Sequence, residues 1–209
     1  MNFHKVKWLF FFTFVLIGVT ACSGGSESEP PIESSVTLTG LVSEPGGTIT
    51  SGNPLGLQPS VAKKVEVYQI DDDGNIIAGA FDTSVTSSDG RYQLRLPSGV
   101  QLSSNHIIKA FVNDNETLSA MAVSENLDVN PISQFVLNKL ITDPSIILET
   151  LPASEVVALI DFIKALEIPA ATEISTLLTN IEDIAGTRTE AQISNISTSS
   201  QVRLSGVLS

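Results

Sequence analysis

Three groups of residues in this 209-residue chain could do chemistry: the single cysteine Cys22, the two histidines His4 and His106, and the run Asp71-Asp72-Asp73-Gly74-Asn75. A structural zinc site needs about four Cys or His ligands. One cysteine and two distant histidines do not supply them, so no metal is expected there. A Ser-His-Asp relay would need His106 in a cleft beside an activated serine. No Gly-x-Ser-x-Gly elbow is present, and no glycine-rich phosphate loop. His106 falls in an alternating stretch and is expected to face solvent from a strand. Calcium favours clustered carboxylate oxygens. The Asp71–Asn75 run lacks both the Asp-x-Asp-x-Asp-Gly spacing and a distant bidentate Glu, and fits a hairpin turn with solvated acids. The expectation is a protein that is not an enzyme, with no catalytic residue, no metal and no cofactor.

Cys22 is different, because its surroundings give it a purpose. Lys5 and Lys7 precede twelve almost wholly apolar residues, Trp8 to Val19. That run is too short for a membrane-spanning helix, which needs roughly 20 residues, and its basic front is that of a secretory signal peptide. The sequence Val19-Thr20-Ala21-Cys22 resembles the lipobox of bacterial lipoproteins. The resemblance implies cleavage between Ala21 and Cys22. It also implies that Cys22 becomes an N-palmitoyl, S-diacylglycerol cysteine. The alternative is an ordinary signal peptide with an incidental cysteine, but an unpaired thiol is a liability in an exported chain. Two or more acyl chains anchor stably, each buried methylene contributing about 0.8 kcal/mol. Ser23 stands where an aspartate would mark inner-membrane retention, so the resemblance points to the outer membrane of a Gram-negative bacterium, periplasmic or surface-facing. Residues 1–21 are thus read as signal peptide. Residues 22–35, rich in Ser, Gly, Glu and Pro, are read as a flexible tether.

The whole chain carries a formal charge of −12, which becomes −14 once the two signal-peptide lysines are removed. With no basic patch to neutralise phosphates, nucleic acid is excluded as a partner.

The elements that must position everything else begin at Val36. "VTLTGLV" (36–42), "KVEVYQI" (64–70), "RYQLRLP" (91–97), "HIIKAFV" (106–112) and "TLSAMAV" (117–123) alternate like half-buried strands. They are separated by turn signals at 71–75, 87–91, 97–99 and 113–115, and Asp-Gly supplies the positive φ of tight hairpins. Short strands at this spacing indicate an antiparallel sandwich over 36–129. Between the first two strands, Ser43–Ala62 is too long for a plain turn and too rich in Gly and Pro for a helix. It is read either as a floppy insertion or as a binding loop.

This segment resembles the carboxypeptidase regulatory-like domain, a seven-stranded transthyretin-like (Ig-like) sandwich. The residues that carry the resemblance are Gly40-Leu41-Val42, the strand "KKVEVY", and the signature Thr86, Asp89, Gly90, Tyr92, Leu94, Leu96, Pro97 and Gly99. The resemblance implies a fold and no active site. Related modules are accessory domains of bacterial surface and envelope proteins.

A helical extension is expected over 130–186. Asn130 and Pro131 make a start signal, followed by the stripe Ile132, Phe135, Val136 and Leu140. Asp143-Pro144 repeats the start signal. Val156, Val157, Ile160 and Ile163 mark a second stripe, and Ile174, Leu177, Leu178, Ile181 and Ala185 a third, with Gly186 as its stop. Residues 187–209 read as a polar tail, disordered or adding a last strand. The expected class is therefore mainly β with an α extension.

Two functions fit. The first is a non-catalytic, lipid-anchored envelope protein with a binding or adhesion module for a protein or glycan. The alternative is a structural lipoprotein that docks an envelope complex through its helices.

Overall fold

A computed structural model of the chain describes residues 35–207, with side chains described as far as residue 197. The expected signal peptide, the Ala21–Cys22 cleavage, the lipidated Cys22 and nearly all of the tether lie outside the described residues.

The alternating stretches form strands: β1 (Thr37–Leu41), β4 (Lys64–Ile70), β7 (Arg91–Arg95), β8 (His106–Phe111) and β9 (Thr117–Met121). Four shorter strands join them: β2 (Ser43–Pro45), β3 (Leu57–Pro59), β5 (Ile76–Ala78) and β6 (Thr83–Ser84). β1 pairs antiparallel with β7, while β5, β4, β8 and β9 form the larger sheet, with β6 also on β4. Alternation assigns the faces. Val65, Val67, Ile108, Ala110, Leu118 and Ala120 pack with Leu38, Tyr92, Leu94 and Leu96 of the small sheet, which closes a sandwich-like core. The opposite face presents Ile70, Ile107 and Met121 to the helices. The larger sheet is therefore the shared middle layer, with one core on each face.

Leu94 is fully buried in the first core while Arg95 points outward. Truncating a core leucine commonly costs about 2–5 kcal/mol. Leu94→Ala should lower the thermal midpoint of the chain from Cys22 onward by many degrees and Arg95→Ala by few. Equal shifts would mean the β7 register is wrong.

The helical layer starts as its sequence dictates. Asn130 accepts from the Ile132 and Ser133 amides, and Ser133 Oγ accepts from the Asn130 amide, a reciprocal cap for α1 (Pro131–Thr142). Ile132, Phe135, Val136 and Leu140 are all buried. Asp143-Pro144, by contrast, starts no α-helix. Asp143 follows the last turn of α1, its carboxylate accepts from Ser145, and only a 3-10 turn (Leu148–Thr150) follows. α2 (Ala153–Lys164) turns Val156, Leu159 and Ile163 inward, leaving Val157 exposed and Ile160 half-buried. α3 does not stop at Gly186. It runs Ile174–Val207, through most of the expected polar tail. Its inward stripe of Ile174, Leu177, Ile181 and Ala185 continues through Thr189 to Ile193 and Ile196. Among the described residues, no helix is long and apolar enough to cross a membrane.

One connection is invisible in the sequence. Residues 125–129 run as a strap beside β1, on the edge away from β7, with parallel bridges at Thr39–Asn126 and Val42–Val129. Gly40 makes room for it. A Cβ there would sit 1.8 Å from the Leu127 carbonyl oxygen, which also accepts the Tyr92 hydroxyl at 2.5 Å.

Candidate binding groove

Ser43–Ala62 is neither floppy nor a bare loop. β2 and β3 pair antiparallel, and a Thr50–Asn53 bridge closes the tip. Asn53 pins the hairpin from inside. Its amide donates to the Leu57 carbonyl at 2.7 Å and the Thr48 carbonyl at 3.2 Å, and its carbonyl accepts from the Leu57 amide at 2.9 Å. Gly56 has φ +60, a conformation that side chains resist. Leu55 is thereby driven into the core shared with the helices.

The folded hairpin walls a groove of about 570 Å³ against the end of α2. Leu41, Pro54, Leu57 and Leu166 give it accessible apolar surface, Leu55, Ile132 and Ile163 lie buried beneath them, and its rim carries Asp128 and Lys164. No aromatic ring lines it. The Asp128 carboxylate accepts from the Leu41 amide at 3.1 Å, so part of its capacity is spent on the strap. Such a surface is shaped for an apolar group flanked by polar ones. The Ser43–Ala62 stretch is legible in the sequence as a candidate, but its partners on α2 are not, because only the fold brings them together.

The residues singled out for chemistry lie elsewhere. His106 does not face solvent: it is buried, beside Phe81, with Nδ1 2.6 Å from Ser103 Oγ. The same hydroxyl also donates to Asn105 Oδ1 at 2.5 Å. Both faces of β8 are covered, with residues 106–108 and Ala110 all buried, so the face that carries His106 is not wet. The 103–106 turn also ties the layers, since Ser104 Oγ donates to the Leu151 carbonyl at 2.7 Å.

Burial holds the His106 pKa below its ordinary value. A base whose folded pKa is depressed favours the unfolded chain as protons become available, so stability falls as pH drops through about 6.5. Gln69 lies opposite it on β4, Phe81 beside it, and no carboxylate is bonded to it among the described residues. The lowered carboxylates, Asp71, Asp89 and Glu66, are lost only at still lower pH. Between about pH 7.5 and pH 5 the thermal midpoint should therefore fall more in the wild type than in His106→Phe. Parallel curves would remove the buried histidine from the account.

Asp71–Asn75 is the β4–β5 turn. Asp71 accepts from the amides of Asp73 and Asn75 and from the Asn75 side chain, and these bonds hold its carboxyl below the usual range. Asp72 accepts from the Leu148 amide at 2.7 Å and so pins the 3-10 turn to the sheet. Among the described residues, no three or more metal-ligating side chains converge. The buried Glu66 binds Tyr68, Thr83 and Lys64, which outweigh burial and lower its pKa. Burial and that carboxylate push the Tyr68 hydroxyl up to about 12.

No family model matches the chain, and no curated protein matches it. Among solved structures, a crystal structure of the major plantain pollen allergen Pla l 1 is similar at TM-score 0.30 and 14% identity. The match covers 46% of this chain and 90% of that one. A likeness of that grade carries no argument.

Proposed function

We propose that this chain is a lipid-anchored protein of the Gram-negative outer membrane, and that its folded part is a non-catalytic binding module. In this reading the sandwich is a variant of the transthyretin-like carboxypeptidase regulatory-like fold, carrying an ordered insertion at Ser43–Ala62. The observation that carries the binding role is that this insertion is folded into one wall of a groove. A preformed wall has little ordering cost left to meet on binding. The aliphatic lining favours an envelope protein that inserts an apolar side chain, because sugars are usually gripped by aromatic faces and none is present. The alternative, docking through the helical stripes, loses support. Apart from Val157, those stripes are turned wholly or partly onto the chain's own core.

A photo-crosslinking residue at Ser51, on the groove rim, should capture a discrete envelope protein in cells. One at Asp114, in the exposed 113–116 turn, should not. Leu57→Arg should abolish the capture while the protein still folds. Cys22→Ser should remove the acyl mass and release the protein from the membrane fraction. Equal capture from both positions would defeat the groove, and an unacylated wild type would defeat the anchor.

A further inference from the structure

We infer that the fold is built to resist a pull arriving through its N-terminal chain, with β1 as a clamped strand. The inference rests on the anchored reading for the origin of the pull, but its measurement does not. β1 is the first strand after residue 35, so tension along the preceding chain reaches it before any other element.

Most edge strands are bonded on one side and can be peeled. β1 is bonded on both. Toward β7, residues 37–41 pair in register with 95–91, and the ladder is extended by Leu96 N–H to the Val36 carbonyl and Val42 N–H to the Gly90 carbonyl, each 2.9 Å. On the other edge, Thr39 N–H donates to the Glu125 carbonyl at 2.7 Å. The Leu127 and Val129 amides donate to the Thr39 and Leu41 carbonyls at 2.9 and 2.8 Å. Leu41 N–H donates to Asp128, and Ser43 N–H to the Val129 carbonyl at 2.9 Å. The antiparallel bonds to β7 lie across the strand axis and the parallel bonds to the strap run slantwise between it and β1. A pull along β1 therefore loads both rows together rather than one bond at a time. The strap then enters α1, whose Ser133 donates to the Ser119 carbonyl of β9, so the load passes into the larger sheet.

Single-molecule pulling tests this on the unacylated chain from Cys22 onward, with the Cys22 thiol as one handle. A second handle introduced by Ser88→Cys, in the turn beside the end of β1, loads the clamp in shear. One introduced by Ser98→Cys, beyond β7 and beside the start of β1, peels it. Pulling between positions 22 and 88 should need a several-fold higher rupture force than pulling between positions 22 and 98. Asp128→Ala should lower the first force and leave the second nearly unchanged, because bonds broken in sequence are limited by the strongest one. Tyr92→Phe, which frees the Leu127 carbonyl, should act the same way and serves if Asp128→Ala does not fold. Equal forces in the two geometries, or a shear force indifferent to both substitutions, would overturn the clamp. Missing acylation at Cys22 would overturn only the anchor.

Discussion

Gly40→Ala should leave a chain that no longer folds cooperatively at about 37 °C. The added Cβ would lie 1.8 Å from the Leu127 oxygen, 2.7 Å from its carbon and 2.9 Å from the Tyr92 hydroxyl. Backbone bonded on both sides of that point cannot yield by tenths of an ångström, so the strap must leave. Its departure breaks the Thr39–Glu125, Thr39–Leu127 and Tyr92–Leu127 bonds, each about 0.5–1.5 kcal/mol net. It also exposes Leu127, whose burial contributes about 1.5–3 kcal/mol. A loss of about 3–7.5 kcal/mol is set against a typical total of about 5–15. Thr39→Ala, one residue away and exposed, should cost under about 1 kcal/mol. Urea denaturation of both variants decides it. An unchanged midpoint for Gly40→Ala would mean that the strap does not lie where it is described.

Leu177→Asp should be nearly as damaging. Leu177 is fully buried where α3 meets the core built on α1 and α2. The substitution loses about 1.5–3 kcal/mol of burial and places a carboxyl with no partner among aliphatic groups. Part of the charge cost is avoided by protonation, which leaves a net loss of about 4–6 kcal/mol. Leu178 is half-buried where the two cores adjoin, and Leu178→Asp should cost less. Thr176 is exposed in the first turn of α3, where an acid suits the helix dipole, so Thr176→Asp should be neutral or slightly stabilising. If Leu177→Asp melted like wild type while losing a partner in cells, the stripe would be a docking face. The assembly role would then lead.

How far the sequence foretells the fold depends on the range of the interactions. Alternation in β1, β4 and β7, and short apolar runs bounded by turn signals in β8 and β9, mark these strands within a residue or two at each end, because both signals are local. The Asn130 cap is equally visible, being complete within four residues. β5 and β6 are too short to show a period. The hairpin at 43–59 hides behind glycine and proline, because its bonds come from Asn53 rather than from alternation. Gly186 misleads for a simple reason. A helix stops at glycine when the chain needs a left-handed residue, and Gly186 has none of the positive φ seen at Gly74 or Gly90. The spacing Ala185, Thr189, Ile193 is already helical, but a threonine in the stripe conceals it. The groove is least legible, since its two walls are about a hundred residues apart in sequence.

The strap also sets an order of events for a growing chain. Among the described residues β1 is the first strand synthesised, but its second row of bonds comes from residues 86 and 87 positions later, Glu125 and Asp128. Contacts of that separation form slowly, because loop closure has to precede them. Until Val129 has emerged, Leu38 and Val42 lack part of the cover they have in the finished core. A nascent chain stopped short of the strap should remain open to proteases, and one extended just past it should become resistant. Under the proposed export, in which the chain would cross a membrane as an unfolded thread, late closure would keep it threadable until most of the sandwich had passed.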